Sequence, residues 1–346
     1  MTTQRGTRIR RWAIAVPLGA LALALASRDA APRQPNHHPD GGVPRLDLAT
    51  GISLGTNAKV GDIALADGRL FVLDGAGFRV LVVDTLSGAV THFGRRGGGP
   101  GEFQAPMSLA LSPHGDTIAV ADARTVHFFG ASGAFHRSVR VSFPCDPRIV
   151  NVAWLTSGLY LSTSCLTAGA DTVHALVWKL RADGSLDELA RTARYSMDGG
   201  WGSPYGARTA IAESGDSLLF GPGSASCVQA ITSSGAGARH CALDAAVFRA
   251  PPPSAFRPQR GGVMAALLKW PDPLPSYIDR IATGADLYLM RMFSHDSVVV
   301  RHVRDAQVTD VLVAPLDPIV RCRGNHCFWA VDEIGTTRIV SHRFGS

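Results

Sequence analysis

Asp62, Asn151 and Asp279 each stand near the start of an apolar run with strand character. Their oxygens are the kind a hard cation takes, and calcium binds roughly six to eight such ligands from carboxylates, amides and carbonyls. Converging on one point, the three would make a metal-assisted hydrolytic centre. The same side chains have a plainer use as acceptors for backbone N–H groups at strand ends. We prefer that use, which leaves the chain with no expected cofactor and calcium as the alternative.

Other catalytic patterns are weaker. The chain has no Gly-x-Ser-x-Gly segment, and Gly221-Pro-Gly-Ser-Ala-Ser226 reads as a glycine turn rather than a nucleophile elbow. Of 12 histidines, His37 and His38 lie in a proline-rich stretch, and none falls at the start of an inner strand. His92, His127, His136, His174, His302 and His342 read as outer-strand residues turned outward, which argues against zinc held on an axis. His240 and His326 lie beside cysteines, but no C-x₂-C spacing accompanies them. Gly97-Gly-Gly99 exposes backbone N–H groups, yet no Gly-Lys-Ser/Thr and no helix follows, so a phosphate cradle is not expected.

Binding chemistry is better represented. Two long connections, 195–207 and 250–277, carry Trp201, Tyr205, Phe256, Arg257, Arg260, Trp270 and Tyr277. Long loops in a compact domain are often functional, and aromatic and arginine side chains supply much of the energy at binding surfaces. Trp201, Tyr205, Arg257, Arg260, Trp270 and Tyr277 are therefore the candidate ligand-binding set, with a peptide, protein or glycan as partner. The rival reading makes Trp201 and Trp270 plugs over a sheet face, and the two stay open.

The elements that would position these residues are short strands. Hydrophobic content is 46% with 18% charged residues, and 37 glycines and 21 prolines punctuate the apolar runs rather than forming one tract. That is the composition of a chain with a buried core and many turns. One unit recurs: strand, glycine turn, strand ending in a small or acidic residue, then two further strands. Its copies lie near 60–94, 106–140, 147–193, 208–248, 277–314 and 318–344. Asp74 and Asp122 hold the same place in the first two copies, as do Gly88 and Gly133.

Units of about 40 to 50 residues with four strands each predict β-propeller blades. The fold class expected is all-β, a six-bladed β-propeller. The last unit stops after three strands, while 43–54, with strand-like residues at 45–48, has no partner of its own. An N-terminal strand closing the last blade answers both. Long connections at 195–207 and 250–277 would then sit by the channel mouth formed by inner-strand starts.

The N-terminus has the parts of a secretory signal at 1–26: Arg5, Arg8, Arg10 and Arg11, an apolar run of 14 residues at 13–26, and Ala24-Leu25-Ala26 as a small-x-small site. Fourteen residues are short of the ~20 that cross a bilayer. Residues 27–42, with Pro32, Pro35 and Pro39, read as a flexible linker before the propeller at 43–346. Removing 1–26 takes four arginines and no acid, lowering the net charge from +6 to +2. The basic balance thus belongs to targeting and argues against nucleic acid as a partner. A monomer in the periplasm or outside the cell is expected, with no stable membrane insertion after cleavage. Six cysteines in the exported part favour disulfides. Spacing pairs Cys227 with Cys241 across Ser234-Gly235 and Cys322 with Cys327 across Arg-Gly-Asn-His, leaving Cys145 with Cys165.

One stretch is more specific. Phe93-Gly94, Gly99-Pro100-Gly101-Glu102-Phe103, Pro106 and Val120-Ala-Asp122 together resemble the linker-to-blade pattern of NHL repeats. The resemblance covers about 93–139 and is similar to six-bladed exported bacterial propellers in general. It implies that Phe103 wedges between sheets and that Glu102 binds exposed backbone. Gluconolactonase-like propellers make a calcium-dependent lactonase the alternative function, although their local motifs are missing. The NHL amidating lyases would need axial histidines that are not found. The function expected is a non-catalytic extracytoplasmic binding or scaffolding propeller, recognising its partner at the channel rim.

Overall fold

Among the described residues, strand follows strand with almost no other structure. In a computed structural model of the chain, the residues described are 51–55, 58–66, 68–166, 172–191, 195–196, 209–222, 228–232, 235–240, 278–283, 287–292, 297–304, 307–315, 319–323, 325–333 and 336–344. The segments read as a signal at 1–26 and a linker at 27–42, and residues 45–48, lie outside them. The chain divides after Gly42, and Val43–Ser346 form one unit.

Glycine turns set the rhythm. Gly68, Gly88, Gly115, Gly133, Gly158, Gly184 and Gly215 have positive φ where one strand reverses into the next, a region that costs glycine nothing. The first sheet is Val60–Ala66, Arg69–Asp74, Arg79–Asp84 and Val90–Phe93. The second is Pro106–Leu111, Thr117–Asp122, Thr125–Gly130 and Phe135–Arg140. The third is Asp146–Leu155, Gly158–Leu166, Thr172–Leu180 and Leu186–Arg191, with Tyr195–Ser196 added beside Thr172–Leu180. The fourth is Thr209–Ser214, Ser217–Pro222, Val228–Thr232 and Gly235–His240. The next is Ile278–Thr283, Leu287–Met292, Ser297–Arg304 and Gln307–Pro315, and the last begins with Ile319–Arg323, His326–Glu333 and Thr336–Arg343.

Each of these six sheets is antiparallel, a short parallel pair of Arg95–Arg96 and Glu102–Phe103 lies in the first connection, and the whole is an all-β propeller. Among the described residues the sheets are not uniform: five have four strands, the third has five, and the parallel pair has two. The first strands of the sheets stand side by side, each against the next and Ile319–Arg323 back against Val60–Ala66. They surround the central channel.

The ring is closed by a strand from the other end of the chain. Ile52–Ser53 pairs with Thr336–Arg343, Ile52 opposite Ile339. Leu54 N–H donates to the Thr337 carbonyl at 2.9 Å, and the Thr337 hydroxyl donates to the Ala58 carbonyl at 2.7 Å. The closing strand seen among the described residues, Ile52–Ser53, lies within the 43–54 segment. Pairing needs a partner edge as well as strand propensity, and Ile52 is placed to reach it.

Between the sheets lies the core. Leu109, Val120 and Phe129 of the second sheet pack on Ala64, Phe71, Leu73 and Val80 of the first. Ala110, Val126 and Phe128 pack across the next gap on Val152, Leu161 and Trp178. Ile63, Leu70 and Val72 pack on Ile319, Ala330 and Ile339 where the ring closes. Strands such as Thr117–Asp122 are buried almost throughout because both of their faces are covered.

The connection from first to second sheet explains its own glycines. Phe103 is fully buried in the shared core, edge-on to His127 at 5.6 Å and tilted against Phe129 at 5.6 Å. Burying such a ring stabilises by about 1.5–3 kcal/mol. Gly94, at φ +81°, lies so close beneath it that a Cβ would meet Phe103 at 2.3 Å. Glu102 accepts from Gly99 N–H at 2.8 Å and pairs with Arg95 at 2.7 Å.

Candidate functional site

An inner strand has a neighbour on one side only, so alternate N–H groups along it point into the channel. Such edge donors need partners. Asp62 supplies them at the first junction: its Oδ2 accepts from Leu109 N–H at 3.1 Å and from the Ser108 hydroxyl at 2.6 Å. Its Oδ1 accepts from Ile63 N–H at 2.9 Å and pairs with Arg321 of the last sheet at 2.9 Å. Ser108 oxygen in turn accepts from Val152 N–H of the third sheet at 3.1 Å. Glu213 of the fourth sheet reaches back to accept from Trp154 N–H at 3.1 Å. Through an ion pair and side chain-to-backbone bonds, this belt ties the last sheet to the first, the first to the second, the second to the third, and the third to the fourth.

Asp62 thus has both oxygens engaged and is 3% exposed. The acid is placed by a bulge: the register shifts between Val60 and Asp62, as it does between Pro106 and Ser108. The same shift falls between Ile278 and Arg280. By register, Arg280 holds the place of Asp62 and Ser108, and Asp279 is the bulge residue. Asn151 donates to the Ser162 hydroxyl at 3.5 Å on the adjacent strand of its own sheet. The side chain of Asp279 lies outside the described residues. Among the described residues no group of three or more His, Cys, Asp or Glu is arranged to hold a metal ion.

Past the belt, where the inner strands end, a cavity of about 380 Å³ opens. Five inner strands or their following turns line it through Ala64, Ala66, Leu109, Ala110, His114, Trp154, Ala212, Glu213, Arg321 and Cys322. Small alanines make the space. Trp154 is half-buried and held edge-on to Phe128 at 5.7 Å. Its wall chemistry combines an indole, an acceptor-only carboxylate and a donor-only guanidinium. The cavity lies at the opposite end of the inner strands from the mouth that the long connections led us to expect. No single residue advertised it; the clue was alanine recurring at alternate inner-strand positions.

Trp201, Tyr205, Arg257, Arg260, Trp270 and Tyr277 lie outside the described residues, as does the 262–270 segment read as a helix. The histidine reading needs one correction. His127 is 7% exposed rather than outward, with Nε2 3.4 Å from the Asp122 carboxylate. Period-2 alternation fails there because both faces of Thr125–Gly130 are covered. Burial pushes the Asp122 carboxyl up, but hydrogen bonds from His127 and the N–H groups of Gln104 and Ala105 outweigh it and hold it below the ordinary value.

Disulfides join Cys145 to Cys165 and Cys322 to Cys327. The second links residues directly opposite in register at the hairpin beside the cavity. Cys227 and Cys241 lie outside the described residues. No helix among those residues is long and apolar enough to cross a membrane.

No protein-family model and no curated protein matches the chain. Among solved structures, it is similar to a protein described as exported from Bacteroides fragilis, at 14% identity and a TM-score of 0.57, over 87% of this chain and 94% of that one. It is also similar to a luciferin-regenerating enzyme, at 12% identity and a TM-score of 0.52, over 83% of this chain and 92% of that one. At such identities the likeness is one of fold.

Proposed function

We propose that this chain is an exported, non-catalytic binding propeller whose ligand enters the cavity at the inner-strand ends. The observation that carries the reading is the state of the channel's charged groups. Asp62, Arg321 and Glu213 bond to neighbouring sheets, while the half-buried Trp154 and Ala66 border the cavity beside buried alanines. Cavities of this size and mixed lining are typical ligand sites. Disulfides fit an oxidising compartment, and the likeness to an exported protein points the same way. We count the five-stranded sheet as a blade and so read the ring as six-bladed, on the strength of its closed circuit of inner strands. The NHL resemblance supports that count over 93–139 only.

Thermal melting with a mixed small-molecule and dipeptide library tests this, in the native chain and in Ala66→Trp, which fills the cavity. Ligands that raise the melting temperature of the native chain alone act in the cavity. If every stabilising ligand acts equally on Ala66→Trp, the cavity is not the site.

A further inference from the structure

We propose that the Cys322–Cys327 disulfide is a thiol-exchange site, entered through the cavity, at which a low-molecular-weight thiol is captured on Cys322. The proposal uses the cavity as an entrance and does not depend on which ligand binds there. Two bridges among the described residues differ in what they do for the fold. Cys145–Cys165 closes a separation of 20 residues and packs in the core between the second and third sheets. Cys322–Cys327 closes a separation of 5, across residues that the strand ladder already sets directly opposite. A bridge stabilises the folded chain by the freedom it removes from the unfolded one, and by linkage the fold protects the bridge from reduction to the same extent. Loop length alone makes Cys322–Cys327 roughly eight-fold the easier to open.

Access is one-sided. Cys322 is part-exposed and borders the cavity, while Cys327 is fully buried. An incoming thiolate therefore meets Cys322, and Cys327 is the departing sulfur. Local charge favours that direction. Burial, and then the charge of Arg343, push the imidazole of His326 below its ordinary value, and His326 is the chain neighbour of Cys327. A positive field stabilises a thiolate, and a more stable thiolate leaves faster. The small thiolate bonds to the Cys322 sulfur as the Cys322–Cys327 bond breaks. The electron pair of that bond leaves on Cys327, which takes the proton the small thiol has lost. A second thiol then attacks the mixed disulfide, releasing a small disulfide and leaving both cysteines reduced. Alternatively Cys327 attacks Cys322, expels the small thiol and restores the bridge. Ladder pairing of Ile319–Arg323 with His326–Glu333 keeps the hairpin in place through either course.

Peptide mass mapping of the oxidised full chain, after incubation with reduced glutathione and quenching with N-ethylmaleimide, tests the proposal. The expected product carries glutathione on Cys322 and maleimide on Cys327. In a glutathione redox buffer, the open-to-bridged ratio should be roughly eight-fold higher at Cys322–Cys327 than at Cys145–Cys165. Ala66→Trp, which fills the cavity, is expected to slow capture about ten-fold, and a polymer-bound thiol of like acidity to react with the native chain slower by a similar factor. Should Ala66→Trp melt early, the polymer-bound thiol decides the route. Should Cys327 reclose the bridge before quenching, Cys327→Ser with oxidised glutathione is expected to give a lasting adduct, as the Cys322 thiolate displaces one glutathione. Glutathione on Cys327, Cys145–Cys165 opening first, or no adduct on Cys322 in either chain overturns the site. Equal rates for glutathione and the polymer-bound thiol overturn entry through the cavity, and the proposal with it, while the binding reading stands.

Discussion

At the scale of single residues, the channel is organised by side chains that serve the backbone of the next sheet. Asp62 accepts four donors while 3% exposed. Replacing it with Asn leaves Arg321 short of its counter-charge, and removing one partner of a buried pair costs on the order of 3 kcal/mol. Urea unfolding of Asp62→Asn should show that loss with an unchanged m-value. An acid so engaged has little to offer a cation. Chelation followed by added calcium should leave the melting temperature where it was, and a rise of several degrees would restore Asp62, Asn151 and Asp279 as a calcium site. Asp122 makes the chain acid-sensitive. Its folded carboxyl is held below the ordinary value, so its contribution is present above the unfolded pKa and is lost as pH falls through the folded one. Asp122→Asn should therefore be less stable at neutral pH and show a flatter melting profile between about pH 5 and pH 2.

Elements bring the same lesson at a larger scale. The connection carrying Phe103 and Gly94 is an extended plug between two sheets, where a single ring fills the gap and a single glycine lets the chain pass beneath it. The closing strand is only Ile52–Ser53, yet it covers the edge of Thr336–Arg343. Ile52→Pro removes a donor from that short ladder and disturbs the packing of Ile52 against the closing core. The loss should be on the order of 1–2 kcal/mol, read as a lowered urea midpoint. An unchanged midpoint would mean that the ring is held by packing alone.

For the whole molecule, closure joins residues far apart in sequence, and disulfides add local staples. Cys145–Cys165 closes a separation of 20 residues and Cys322–Cys327 one of 5. On chain entropy alone these contribute about 3 and about 2 kcal/mol. Alanine replacement of each pair should lower stability in that order. The Cys322–Cys327 variant should also weaken any cavity ligand, because that hairpin forms part of the wall.

The packing role of Phe103 came with the NHL resemblance, while strand rhythm and turn glycines could be read from the chain directly. They depend on local conformation and on alternation along a strand, both of which a linear sequence carries. So could the pairing Cys322–Cys327, from its spacing across a tight reversal, and Cys145–Cys165 as the pair then left over. His127 was misread, because a strand covered on both faces loses the alternation that marks in from out. The fifth strand of the third sheet was hidden for a related reason: an edge is known only when its partner is. The belt of Asp62, Ser108, Glu213 and Arg321 was also beyond reach, and with it the cavity. Those residues lie in four different sheets, and only the curvature of the ring sets each side chain against its partner in another sheet, with backbone donors 44 to 59 residues away. The sequence alone determined that strands would form and roughly where. Tertiary structure decided which polar groups were consumed in joining them and which were left to meet a ligand.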